Sequence, residues 1–446
     1  MSLLVALALV AGACGDDDDA TSAQTAGGDS SAATTAATDT SAATDTSAAT
    51  ETSAATDTSA ATDTSAAAPT GDPYKIGLVL PLSGNVAFIG TPMLSTIQAW
   101  VDYINEVEGG VNGRAIELLV EDDGGDAARS TAALRALDDE GVSAVLGVPL
   151  ASGVASAGGT AAELEVSLLT VGAVPSLLRE NPQYVFQMDA TSGSDAEPMT
   201  RFAAELLAGD DDIRLALAPH DSPSSVEWAE TINSVWAPEL GVTVSATVTV
   251  PLAASDVTAQ AQEIVSSEPD AVMVQGGDAG MPVLATRLRA LGFEGPIIAY
   301  HGAGADTTVK TLNDPEVYVQ REMRALDEDP SQYPGLQRYL DVIERAGNRD
   351  EVDELPTAAL GTLIALVLEG ALLECEDPCD AAQLNTSLLG LSVDTGGLTF
   401  GNIEYSETDH QGVNENVFYH LEDGKLVPAL DGKTFHGDVY TMIAPS

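Results

Sequence analysis

Cys375 and Cys379 bracket the short run Cys-Glu-Asp-Pro-Cys. Two thiols on a proline-containing turn suit a small disulfide loop outside the cytoplasm, with free thiols as the alternative. A metal site there needs two more ligands, and no nearby His or Cys supplies them. His220, His301, His410, His420 and His436 show no zinc-protease spacing, and no Gly-x-Ser-x-Gly elbow exists. Gly302-Ala303-Gly304 begins like a nucleotide-binding turn but lacks the third glycine and a following acidic residue at the right distance. Asp122-Asp123 after an apolar run offers a catalytic carboxylate pair, although such pairs are common in so acidic a chain. Catalysis is therefore not expected, and neither a metal nor a cofactor.

The 446 residues carry a formal charge of −52 with only four lysines, Lys75, Lys310, Lys425 and Lys433. Nucleic-acid binding needs the opposite sign. Docking on an anionic leaflet is disfavoured without an anchor. The bland reading is a solvated acidic surface suited to salty surroundings. Beyond the N-terminus no segment reads as long and apolar enough to cross a bilayer. The run from Ala358 to Leu373 is interrupted by Glu369 and reads as a buried helix.

The N-terminus divides into three. Leu3 to Val10 is apolar, about the length of a signal-peptide h-region, and small residues lead to Cys14, Gly15 and four aspartates. This resembles the lipobox of a bacterial lipoprotein, although no Lys or Arg precedes the apolar run. The resemblance implies a signal peptide over residues 1–14 and lipidation of Cys14. Residues 15–72 are almost wholly Ala, Thr, Ser, Asp and Gly, with an imperfect Ala-Thr-Asp-Thr-Ser-Ala repeat. Such a segment buries too little apolar surface to offset its ordering entropy, so a disordered leash of about 40 Å root-mean-square span is expected.

From Asp72 onward the chain alternates strand and helix. Apolar runs at Lys75–Leu80, Ala115–Val120, Ser143–Gly147 and Val166–Val171 read as buried strands. Helical spacing separates them at Thr91–Glu106, Ala127–Glu140 and Gly153–Leu164. After a polar break at Thr191–Ser194 a second series follows. Its strands are Arg214–Ala218, Thr243–Val250, Ala271–Gln275 and Pro296–Tyr300, with helices Val226–Trp236, Val257–Val265 and Pro282–Leu291. Two βαβ series imply an α/β protein of two Rossmann-like lobes with parallel sheets. Helices Gln332–Ala346, Thr357–Glu374 and Ala381–Leu389 are then expected to cover the lobes, followed by a hairpin around Glu422–Lys425.

The order of several segments resembles the leucine/isoleucine/valine-binding type of periplasmic solute receptor. They are Lys75-Ile-Gly-Leu-Val-Leu-Pro-Leu-Ser-Gly84, Glu108-Gly-Gly-Val-Asn-Gly113 into Glu117–Asp123, Thr170-Val-Gly-Ala173 and Leu291-Gly-Phe293. The likeness spans Tyr74 to Gly424. It implies a type I periplasmic binding protein with a three-strand hinge, lobe I being residues 73–191 plus 319–413 and lobe II residues 192–318 plus 414–446. It also implies an extracytoplasmic monomer, lipid-anchored to the outer face of the cell membrane, closing on a small amino acid, amide or carboxylate. Its partner would be an ABC permease; the alternative is a sensor signalling through a separate membrane partner. Carried over by position, the pocket comprises Ala151 and Ser152, then Gly172, Ala173 and Val174 where the family has Gly-Ala-Thr. Ser225 and Asp278 stand where aromatics are usual, His301 with Gly302 where an acid holds an amino group, and Phe88 where an aromatic lids the pocket.

Overall fold

The computed structural model describes residues 67–437, apart from 174, 181–182, 192, 211, 252–254, 277–279 and 348–355. Cys14, most of the repeat segment, Val174 and Asp278 lie outside the described residues.

The first sheet contains β1 (Gly71–Leu80), β2 (Arg114–Asp122), β3 (Ala144–Gly147), β4 (Ser167–Thr170) and β5 (Val185–Gln187), all parallel, in the order β2-β1-β3-β4-β5. Period-two alternation makes the layers. Ile76, Leu78 and Leu80 of β1 enter one core with Trp100 of helix Ala87–Tyr103, while Val79 enters another with Leu137 of helix Ala127–Asp139. Gly77 lets that second helix approach, since a Cβ there would sit 2.8 Å from Leu137 Cδ1.

The second sheet begins with β6 (Arg214–Pro219), β7 (Thr243–Thr247), β8 (Ala271–Gln275), β9 (Ile297–Ala299) and β10 (Val317–Arg321), again parallel. After a small antiparallel pair, β11 (Ser392–Val393) with β12 (Ile403–Glu404), the hairpin β13 (Glu415–Glu422) and β14 (Lys425–Pro428) adds to the edge of β10 antiparallel. The order is β14-β13-β10-β9-β8-β6-β7, with β15 (Phe435–His436) pairing β13. Its core holds Trp228 and Trp236, both buried. Two α/β lobes with parallel sheets are thus present.

The chain passes between the sheets three times. After β5 it runs through Met188–Asp195, after β10 it returns at Glu322, and Gln411–Asn414 lead back to β13. The crossings touch. Val413 N donates to Met188 O at 3.2 Å, and Ala190 N to Glu322 Oε1 at 2.6 Å. Tyr405 Oη donates to Gln187 O at 3.0 Å, and His410 stacks on Phe186 at 4.4 Å.

Sequence patterning missed β5, β10, and the helices Ala196–Leu206 and Asp306–Leu312. One expectation is corrected in its first half, that the run from Ala358 to Leu373 is too short and interrupted to span a bilayer, and holds in its second, that it is a buried helix. By length and composition, Thr357–Glu374 is a helix long and apolar enough to cross a membrane, with mean hydropathy 1.6. Its apolar residues Leu363, Ile364, Val367 and Leu368 are instead buried in the first lobe's core. Gly361 brings it against Met93 O, 2.8 Å from where a Cβ would lie, and Trp100 Nε1 donates to Thr362 Oγ1 at 3.3 Å. Glu369 pairs with Arg338, which also holds Glu108 and lies 4.7 Å over the Trp100 ring. A disulfide joins Cys375 and Cys379, and Cys379 O accepts from Ser143 Oγ at 2.8 Å.

Candidate functional site

In both sheets the strand order reverses between the first strand and the third, at β1/β3 and at β6/β8. Ligands of open parallel sheets bind beyond the strands' carboxyl ends at that reversal, where adjacent loops part and leave a crevice. Two of the few exposed large apolar side chains flank these points: Phe88, 60% exposed, beside β1, and Val226, 47% exposed, beside β6. A cavity of about 660 Å³ is lined by Ser176 from the first lobe and by Asp221, Ser222, Val226, Glu227 and Glu230 from the second. That volume suits a small molecule.

In the first lobe, which lines the cavity through Ser176, Asp122 shapes the turn after β1, its Oδ1 accepting from Leu82 N at 2.8 Å and Gly124 N at 2.9 Å. These bonds, with the Ser83 hydroxyl first among them, hold its carboxyl below the usual range. Asp122-Asp123 is therefore a loop brace: Asp123 is buried and accepts from Ser130 Oγ at 2.7 Å. Helix Ala151–Leu164 starts after β3 with Leu150 in the capping position and no side-chain cap. Ala151 and exposed Ser152 form its first turn, where the helix dipole is positive and N–H groups face outward. Gly172 and Ala173 are buried and their amides are occupied. Gly172 N donates to Thr170 Oγ1 at 3.0 Å, and Ala173 N to Gln187 Oε1 at 2.8 Å. A side chain at Gly172 would strike Pro149, with backbone atoms 2.6 and 2.7 Å from the Cβ.

On the second lobe's wall, Ser222 caps helix Pro223–Thr231. Ser225 is fully buried, its Oγ 2.6 Å from His220 Nδ1, which also lies 2.8 Å from Gln275 O. Despite its hydroxyl–imidazole contact, Ser225 does not line the cavity; it braces His220 behind Ser222 and Val226.

His301 departs most from expectation. It sits after β9 at the lobe junction, with its Nε2 3.5 Å from Asp189 Oδ2 and its Nδ1 3.5 Å from Asp195 Oδ2 and 3.7 Å from Glu322 Oε1. Burial works to lower its pKa, yet the Glu322 and Asp195 charges prevail and raise it well above the ordinary value. Burial pushes Glu322 up to about 8, and Asp189 upward too. Three carboxylates from the crossings thus surround His301. Gly302 leaves room for the Tyr300 ring, whose Cζ would lie 2.6 Å from a Cβ. Asp189, Asp195 and Glu322 escaped sequence reading because they converge only once the chain crosses between lobes. The available signal was an acidic residue just after each short apolar run, Val185–Phe186 and Val317–Val319.

The profile of periplasmic binding proteins matches residues 73–425. The chain belongs to the periplasmic binding protein family. Similar solved structures include a branched-chain amino acid ABC transporter protein from Thermus thermophilus with bound valine. It is 16% identical with a TM-score of 0.71, over 84% of this chain and 99% of that one. A solute-binding protein from R. palustris in complex with 4-hydroxybenzoate is 17% identical, TM-score 0.67, over 82% and 98%. A fatty acid substrate-binding protein from Thermomonospora curvata is 17% identical, TM-score 0.66, over 85% and 97%. At these identities the likeness is one of fold. No curated protein sequence matches the chain.

Proposed function

We propose that this periplasmic binding protein is the extracytoplasmic receptor of an ABC importer, held to the membrane by lipid on Cys14 and closing its lobes on a small carboxylate-bearing solute. The cavity between Ser176 of the first lobe and the segment after β6, beside the second sheet's reversal, carries the reading. The uncapped start of helix Ala151–Leu164 offers amides and a positive dipole end to a carboxylate. Asp221, Glu227 and Glu230 on the opposite wall favour a solute that also bears a cationic group, as an amino acid does. The valine, 4-hydroxybenzoate and fatty acid named for the similar structures share a carboxylate, which agrees with the first-lobe chemistry. Closure follows from a ligand's better affinity for the closed form.

The test is a thermal-shift and calorimetric screen of the chain against amino acids, their amides, aromatic acids and aliphatic acids. One carboxylate class is expected to bind one per chain and to contract the molecule in small-angle scattering. Amides binding as tightly as the acids would remove the carboxylate assignment. A screen with no binder at all would remove the receptor reading.

A further inference from the structure

The junction of the two lobes gathers one imidazole and three carboxylates from three separate segments. Asp189 follows β5, Asp195 opens helix Ala196–Leu206, Glu322 follows β10, and His301 follows β9. One nitrogen of His301 and one oxygen each of Asp189 and Glu322 lie within 4.8 Å of one another. Each carboxylate is aimed by a neutral donor. Gln187 Nε2 bonds Asp189 Oδ1, Gln320 Nε2 bonds Asp195 Oδ1 at 2.6 Å, and Ala190 N bonds Glu322 at 2.6 Å. Such outer contacts fix ligand orientation in metal sites. Asp195 Oδ2 is then left over: the residue is fully buried, and this oxygen, 3.5 Å from His301 Nδ1, has no hydrogen-bond partner. His301 Nδ1 has none either.

Among the described residues no Lys or Arg pairs with these three acids; their one cationic partner is His301. Three carboxylates facing a single imidazole leave a negative excess where little water reaches, and an unpaired buried charge is costly. We propose that Asp189, His301 and Glu322, with Asp195 beside them, bind one divalent first-row metal ion of the Mn²⁺ or Zn²⁺ kind at the hinge. One imidazole nitrogen among carboxylate oxygens suits those ions, whereas Ca²⁺ and Mg²⁺ favour all-oxygen shells. Ligand atoms sharing an ion at ~2.1 Å stand roughly 3.0–3.4 Å apart. The 3.5 and 3.7 Å separations run to opposite ring nitrogens, so an ion on one nitrogen draws the other carboxylate in from within 4.8 Å. The His301 side chain, 15% exposed against 4% or less for the acids, marks the side from which an ion would enter. A bound ion would tie two crossings to the floor of the second lobe, stiffening the hinge whatever the solute.

The experiment uses the full chain without a polyhistidine tag, stripped by chelator and titrated with Mn²⁺, Zn²⁺ and Co²⁺ by calorimetry, with Co²⁺ also followed by its visible bands. One equivalent is expected, with a rise in Tm of roughly 3 °C at a hundredfold excess over Kd. Ca²⁺ and Mg²⁺ should bind at least about tenfold more weakly. H301A and E322Q should each remove the stoichiometric binding, with far-UV circular dichroism confirming that they fold. E322Q without metal should melt no lower than wild type, because it relieves the acidic excess. Absence of stoichiometric binding in the wild type would overturn the site. So would binding unchanged in both variants, which would place the ion elsewhere, on other acids of this acidic chain.

Discussion

His410 has the clearest titration consequence of any single side chain in the fold. It is fully buried against Phe186, with Nδ1 3.0 Å from Val185 O, and burial lowers its pKa below the usual histidine value. Below about pH 6.5 the unfolded chain gains a proton there that the folded chain resists. Its contribution to stability is therefore present above that pH and lost as pH falls through the lowered folded value. Calorimetric Tm measured from pH 7 to 5 should fall less steeply in H410F than in wild type; equal slopes would rule this out. Gly172 gives a second prediction. Its Cβ would meet Pro149 backbone atoms at 2.6 and 2.7 Å, so Gly172→Ala should cost about 1–3 kcal/mol in urea unfolding. The sequence marked Gly172 and Ala173 as pocket backbone, but their amides are held by Thr170 and Gln187, bonds invisible without the fold. Likewise Ser225 was legible as a residue after the second lobe's first strand, yet not as the brace of His220, because burial depends on how the helix rolls.

At the scale of elements, alternating apolar runs made β1, β3, β4, β6 and β8 readable, since a strand buried on both faces must be nearly continuous in Val, Ile, Leu and Ala. β5 is three residues long, and β10 ends in Gln320-Arg321, so neither carries enough pattern to rise above its surroundings. Yet these two deliver Asp189 and Glu322, which is why the hinge cluster stayed hidden. Helix Pro356–Glu374 shows the opposite problem, a strong signal with two meanings. Of its two acids, Glu369 decides in favour of a core helix by meeting Arg338 at 2.8 and 2.9 Å. Arg338→Ala should strand that carboxylate, which is 15% exposed, and lower stability by about 2 kcal/mol. Arg338→Ala with Glu369→Leu should recover part of the loss; no recovery would show that Arg338 acts through Glu108 and its packing on Trp100 instead.

For the whole molecule, the charge of −52 makes self-repulsion the dominant long-range force. Raising ionic strength from about 0.1 M to 1 M shortens the screening length from about 10 to 3 Å, so Tm should climb with NaCl. A flat or falling Tm would mean that local ion pairs such as Arg338 with Glu108 outweigh the general repulsion. The three crossings have a further result for optical work. Of the tryptophans, Trp100 lies in the first lobe, and Trp228 and Trp236 lie in the second, all buried. Intrinsic fluorescence is thus two colourless-to-solvent reporters in one chain, one per lobe. W100F would leave emission from the second lobe alone, and removing Trp228 and Trp236 together would leave the first. Because Met188, Ala190 and Gln187 each bond across to another crossing, the two melting traces should superimpose, and a gap between them would measure how loosely the lobes are coupled.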